Sequence, residues 1–128
     1  MKSADKPTVL VVDDEQMTAD TLAAILKLNG FDSHALYSGE SAVEWLETNR
    51  PDIILADVKM RHVSGVDTAV RVRELHPECR IILFTAASLS TSNRHTIQRL
   101  GFELLDRPLH PRELLARLRD PEGSRVRH

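Results

Sequence analysis

Apolar residues along the chain alternate between two patterns. Thr8–Val12, Asp52–Ala56 and Arg80–Phe84 are short runs rich in branched aliphatics, and Phe31–Leu36 is a weaker one. Thr8–Val12 and Arg80–Phe84 are apolar almost throughout, as strands covered on both faces are in a parallel sheet. Phe102–Leu105 is a fifth, very short candidate. Between these runs the apolar spacing becomes helical. Ala19, Leu22, Ile25 and Leu26 form one stripe, stopped at Asn29-Gly30. Val43 and Leu46 mark a second helix, with Ser38 placed to cap it. Val66, Ala69 and Val70 mark a third, opened by Ser64 and closed before Pro77. Ile97 and Leu100 mark a fourth in a Ser/Thr-rich stretch. Leu114, Leu115 and Leu118 mark a fifth, with Pro111 at its first position. Strands alternating with helices predict right-handed βαβ units, with helices on both faces of a parallel sheet.

Composition narrows the setting. The 128 residues suit one domain, and 41% hydrophobic residues suffice for a core. A net charge of -2 gives no general reason to bind nucleic acid or an anionic membrane. The single cysteine, Cys79, excludes an intrachain disulfide. The start, MKSADKP, is polar and unlike a secretory signal, and no apolar stretch reaches membrane-spanning length. These features predict a soluble cytoplasmic domain over residues 8–119. Residues 1–7 are expected to be disordered, and residues 120–128 to be a tail or the start of a linker.

In an open parallel sheet, ligands bind beyond the carboxyl ends of the strands. The first predicted strand ends in Asp13-Asp14-Glu15, the third in Asp57 and the fourth in Thr85-Ala86, and the fifth is followed by Asp106-Arg107-Pro108. Each residue alone has an ordinary explanation. Asp13 and Asp14 could cap the next helix, Asp57 could be a turn residue, Thr85 a strand end and Arg107 a solvated charge. Together they place carboxylates, a hydroxyl and a cation at one edge. That set suits a hard divalent ion, an aspartate nucleophile and a phosphoryl group.

These residues resemble the receiver domains of bacterial response regulators. The resemblance covers about Thr8 to Arg119. It rests on Val11-Val12-Asp13-Asp14-Glu15, on Asp57 with Met60 and Gly65 behind it, on Phe84-Thr85-Ala86 and on Arg107-Pro108. It implies a flavodoxin-like α/β fold, a five-stranded parallel sheet in order 2-1-3-4-5 flanked by five helices. It implies Asp57 as phospho-acceptor in a phosphorelay, Thr85 and Arg107 as phosphoryl contacts, and Mg²⁺ held by Asp13, Asp14, Asp57 and the Lys59 backbone carbonyl. The donor would be a sensor histidine kinase or a histidine phosphotransfer protein. The downstream target would be another protein, with no direct nucleic-acid or membrane contact and room for a phosphorylation-dependent dimer. The domain would be no turnover enzyme, catalysing only its own phosphotransfer and dephosphorylation.

Four positions depart from the family pattern. Arg107 stands where the family has lysine, and its planar fork could pair with Asp57 or Asp14 in competition with Mg²⁺. Leu104 replaces an aromatic that swings inward on activation, Arg61 replaces a common proline, and Lys59 adds a cation beside the site. The Arg107-Pro108 peptide is expected to be cis, as in the family. The alternative reading is a pseudo-receiver, a constitutive protein-interaction module whose Arg107 and Leu104 fix one state. A metal-dependent phosphatase would want an acid two residues after Asp57, where Lys59 stands. A nucleotide binder would want a glycine-rich loop after the first strand, and there is none.

Overall fold

A computed structural model describes residues 6–60, 64–85, 90–106 and 110–120. Strands β1 (Thr8–Val12), β2 (Asp32–Leu36), β3 (Ile53–Asp57), β4 (Arg80–Thr85) and β5 (Glu103–Asp106) alternate with helices α1 (Gln16–Leu28), α2 (Gly39–Trp45), α3 (Gly65–Leu75), α4 (Thr91–Arg99) and α5 (Pro111–Arg119). All neighbouring strands are parallel, in the order β2-β1-β3-β4-β5. The predicted fold and strand order are those observed.

Two apolar layers sandwich the sheet. Because side chains alternate along a strand, Leu10, Val12, Ile54, Ala56 and Leu83 join Ala69, Val72 and Ile97 on one face. Val9, Val11, Leu55, Ile82 and Phe84 join Ala19, Leu22, Leu26, Leu114 and Leu118 on the other. The central strands β1, β3 and β4 are therefore buried on both sides, which is why they read as continuous apolar runs.

Caps sharpen the helix ends. The side chains of Ser38 and Ser64 accept the N–H groups of Ser41 and Asp67, as their sequence positions predict. Ser90 does the same for Asn93 at the start of α4. Pro111 opens α5. Gly30, with φ of 94°, ends α1 while the Phe31 N–H returns to the Leu26 carbonyl.

Three helix markers behave differently from the expected stripe. Leu46 is buried but caps the end of α2, Val70 is 38% exposed while Thr68, Ala69 and Val72 form the buried face of α3, and Leu100 caps α4 with 42% of its surface exposed, leaving Ile97 as the buried residue of that helix.

Candidate functional site

The sheet pairing sets the depth of each site residue. Asp13 follows β1, and its N–H extends the ladder to the Leu36 carbonyl at 3.1 Å. Asp57 ends β3 opposite Phe84, and Thr85 lies one residue further along β4, paired in register with Asp106. The acidic turn after β1, the end of β3 and the end of β4 therefore meet at one edge.

Asp13 is buried, with 1% exposure, while Asp14 and Asp57 are half-buried. One oxygen from each of the three carboxylates lies within 4.8 Å of the other two. Asp13 also accepts the Glu15 N–H at 2.9 Å on Oδ1. That bond tightens the turn entering α1, so a structural role and membership of the cluster coexist in one residue. Asp57 Oδ1 accepts the Lys59 N–H at 3.2 Å, which folds the following loop back toward the carboxylate.

Gly65 fixes the far side of this loop. Its N–H bonds to the Val58 carbonyl at 2.9 Å, and a Cβ built on it would stand 1.9 Å from the Asp57 backbone oxygen. Only glycine allows α3 to begin so close to the end of β3. Met60 is half-buried and packs against the α3-side core, while Lys59 is exposed. Thr85 is buried, with 3% exposure, at the end of the neighbouring strand.

The donor set can be tested against a hard divalent ion. Oxygens around one Mg²⁺ stand about 3 to 4.2 Å apart, given metal–oxygen distances of about 2.1 Å. Three carboxylate oxygens within 4.8 Å need only a small closure or one bridging water to match that spacing. The residues fit the ion.

Of the residues singled out in the sequence, Asp13, Asp14 and Asp57 are brought together, with Thr85 on the adjoining strand and Lys59 in the adjoining loop. Arg107, the Arg107-Pro108 peptide and Arg61 lie outside the described residues. Leu104 is half-buried and already packs against the core layer that holds Ile97 and Val72.

Two further polar contacts, one at the carboxyl end of β5 and one before its start, are not announced by the sequence. Arg94 of α4 contacts Asp106 at the end of β5, Nη2 to Oδ1 at 2.6 Å. Arg73 of α3 donates to the carbonyls of Leu100 and Gly101 and lies over the Phe102 ring at 4.2 Å. Both join residues 12 to 28 positions apart, so no local periodicity announces them.

Comparison with known proteins agrees with this geometry. A response regulator receiver protein from Pseudomonas putida superposes with a TM-score of 0.83 at 25% identity, covering 91% of this chain and 98% of its own. The receiver domain of a Francisella response regulator gives a TM-score of 0.80 at 27% identity, covering 89% and 94%. A receiver domain protein from Methanospirillum hungatei shares the fold with a TM-score of 0.84 at 22% identity, covering 90% and 92%. The family model for the response regulator receiver domain matches residues 9–119. With that match, five parallel strands in the expected order and three carboxylates gathered at their carboxyl edge, this chain belongs to the response regulator receiver domain family.

Proposed function

We propose that the domain is a phosphorylation-dependent switch in a two-component system, with Asp57 as phospho-acceptor. The convergence of the Asp13, Asp14 and Asp57 oxygens within 4.8 Å carries this reading. A carboxylate oxygen of Asp57 attacks phosphorus, and the bond from phosphorus to the donor's imidazole nitrogen or acyl oxygen breaks. An aspartyl phosphate remains on this chain. Asp13, Asp14, Asp57 and the Lys59 carbonyl would hold Mg²⁺, which when bound offsets charge on the phosphoryl group. Asp13, fixed through its bond to the Glu15 N–H, positions its carboxylate before any ion arrives. Thr85 would hydrogen-bond a phosphoryl oxygen, and Arg107 would supply a cation.

A histidine kinase or histidine phosphotransfer protein is the proposed donor, in the cytoplasm, and the receiver of the signal a downstream protein. The pseudo-receiver alternative draws on Leu104, which sits against the core and leaves no aromatic at that position to swing inward. Incubation with Mg²⁺ and acetyl phosphate followed by intact mass measurement separates the two. We expect one added phosphoryl group on the wild type and none on Asp57→Asn. Equal labelling of both would remove Asp57 from the role, and no labelling of either would favour the constitutive module.

A further inference from the structure

Helix α4 is attached differently from the other long helices. α1 buries Ala19, Leu22 and Leu26, and α3 buries Thr68, Ala69 and Val72 beside Gly65. α4 buries Ile97 alone. Every other residue of its sequence, TSNRHTIQR, is polar, with three basic or imidazole side chains and no acid. Its position is therefore set by polar contacts made to its two ends. At the carboxyl end, Arg73 binds the Leu100 and Gly101 carbonyls. Nearer the amino end, Arg94 binds Asp106, with Arg94 28% and Asp106 60% exposed. A helix held by one apolar anchor and exposed polar contacts is drawn from the low-stability end of a domain and changes position cheaply.

The partner of Arg94 is what gives this contact meaning. Asp106 is the last residue of β5 and the register partner of Thr85, the hydroxyl residue at the site edge. The same β4 end that carries Thr85 leads, after a short segment, into Ser90 at the cap of α4. Thr85, Asp106 and Arg94 thus close a loop from the site, across the strand pair, to the helix.

We infer that the Arg94–Asp106 ion pair is a latch that holds α4 against the end of β5 in the resting state and opposes phosphorylation. The inference rests on the phospho-acceptor reading above. When Thr85 turns to hydrogen-bond a phosphoryl oxygen, the paired end of β5 shifts with it and the Arg94 contact loosens. Linkage then requires the converse: breaking the contact makes the acceptor state easier to reach. In a domain whose β5 carries Leu104 where an aromatic rotor would act, this ion pair supplies a route from the site to α4.

Four proteins test the latch: wild type, Arg94→Gln, Asp106→Asn, and the charge swap Arg94→Asp with Asp106→Arg. Hydrogen exchange of the α4 amides in unphosphorylated protein is one readout. The rate of labelling by acetyl phosphate with Mg²⁺ is the other. Both single variants should exchange faster across α4 and be labelled roughly two- to fivefold faster, the size expected for an exposed ion pair. The swap should return both readouts toward wild type. A merely structural loss would slow labelling, so unchanged or slower labelling in the singles overturns the latch. So does a swap that restores neither readout. Should wild type take no label at all, the phospho-acceptor reading fails, and unchanged α4 exchange in the single variants then overturns the latch independently.

Discussion

At the amino ends of the strands, acidic side chains are spent on the fold. Asp52 accepts the Thr8 N–H at 2.8 Å, and Glu103 takes both Nε and Nη2 of Arg80, at 2.7 and 3.0 Å, with both side chains less than 15% exposed. Arg117 of α5 adds a further contact to Glu103 at 3.8 Å. At the carboxyl ends, Asp13, Asp14 and Asp57 instead bring their oxygens toward one another. Like charges gathered in this way work against folding unless a cation joins them. The two edges share a sheet and a residue type, but at one edge the acids bind an N–H group and Arg80, and at the other three carboxylates converge. The proposed chemistry uses the second edge.

The largest effect we expect is at Gly65. A methyl group there overlaps the Asp57 carbonyl, which is backbone and cannot move aside without disturbing β3. Gly65→Ala should cost about 3 kcal/mol or more by urea unfolding and slow Asp57 labelling. Loss below 1 kcal/mol with normal labelling would show that the start of α3 yields easily, and that the carboxyl edge is less tightly built than this geometry implies.

At the opposite edge, Asp52→Ala removes the acceptor of the Thr8 N–H. A stability loss of about 2 kcal/mol should follow. Because Asp52 lies at the far ends of the strands, Mg²⁺-dependent labelling should persist once the lower stability is allowed for. A variant that stays folded yet takes no label would break the division between the edges.

The fold and the carboxyl-edge cluster are legible in the sequence, and the amino-edge contacts are not. The buried strands announced themselves because β1, β3 and β4 are covered on both faces. β2 and β5 were weaker because each is an edge strand with half-exposed positions, Asp32 and His34 in one and Glu103 to Asp106 in the other. The acid cluster was legible because strand ends converge in a parallel sheet whatever the side chains do. Asp57 and Thr85 are the last residues of β3 and β4, at the strand ends where the sequence places them, paired with Phe84 and Asp106. The cross-chain polar contacts were not legible. Arg80–Glu103, Arg94–Asp106 and Arg73–Gly101 depend on side-chain reach between distant segments, and a charged residue looks the same in sequence whether it is paired or solvated. Leu100 misled for a related reason: helical spacing places it beside Ile97, but the helix ends there and the side chain turns outward.

A smaller effect sharpens the contrast from the side of the ion. If the carboxyl edge is built to receive a cation, Mg²⁺ should stabilise the wild type by about 1.4 kcal/mol at ten times its dissociation constant. Asp14→Ala should lose that response together with labelling, and Asp13→Ala should lose less of it, while also weakening the turn that the Glu15 N–H closes. Thermal melts with and without Mg²⁺ measure this directly. An undiminished response in Asp14→Ala would mean that the ion is held elsewhere.

The smallest effect concerns Cys79 at the amino edge. Burial first, then the charge of Asp52, pushes its thiol from 9.0 up to about 12. The folded protein therefore keeps a proton that the unfolded chain releases once the pH passes 9. Fewer protons bound in the unfolded state means that stability falls as pH rises, through the window from 9 to 12, and is fully retained below it. At pH 10 the loss should be about 1 kcal/mol, after discounting for partial solvent access. Cys79→Ala should flatten that part of the stability curve whatever its effect at neutral pH, and Asp52→Asn should make the decline slightly smaller by easing ionisation of the native thiol. A native thiol that alkylates at pH 8 as fast as a denatured one would show that Cys79 is open to solvent, and that the amino edge is less closed than its hydrogen bonds describe.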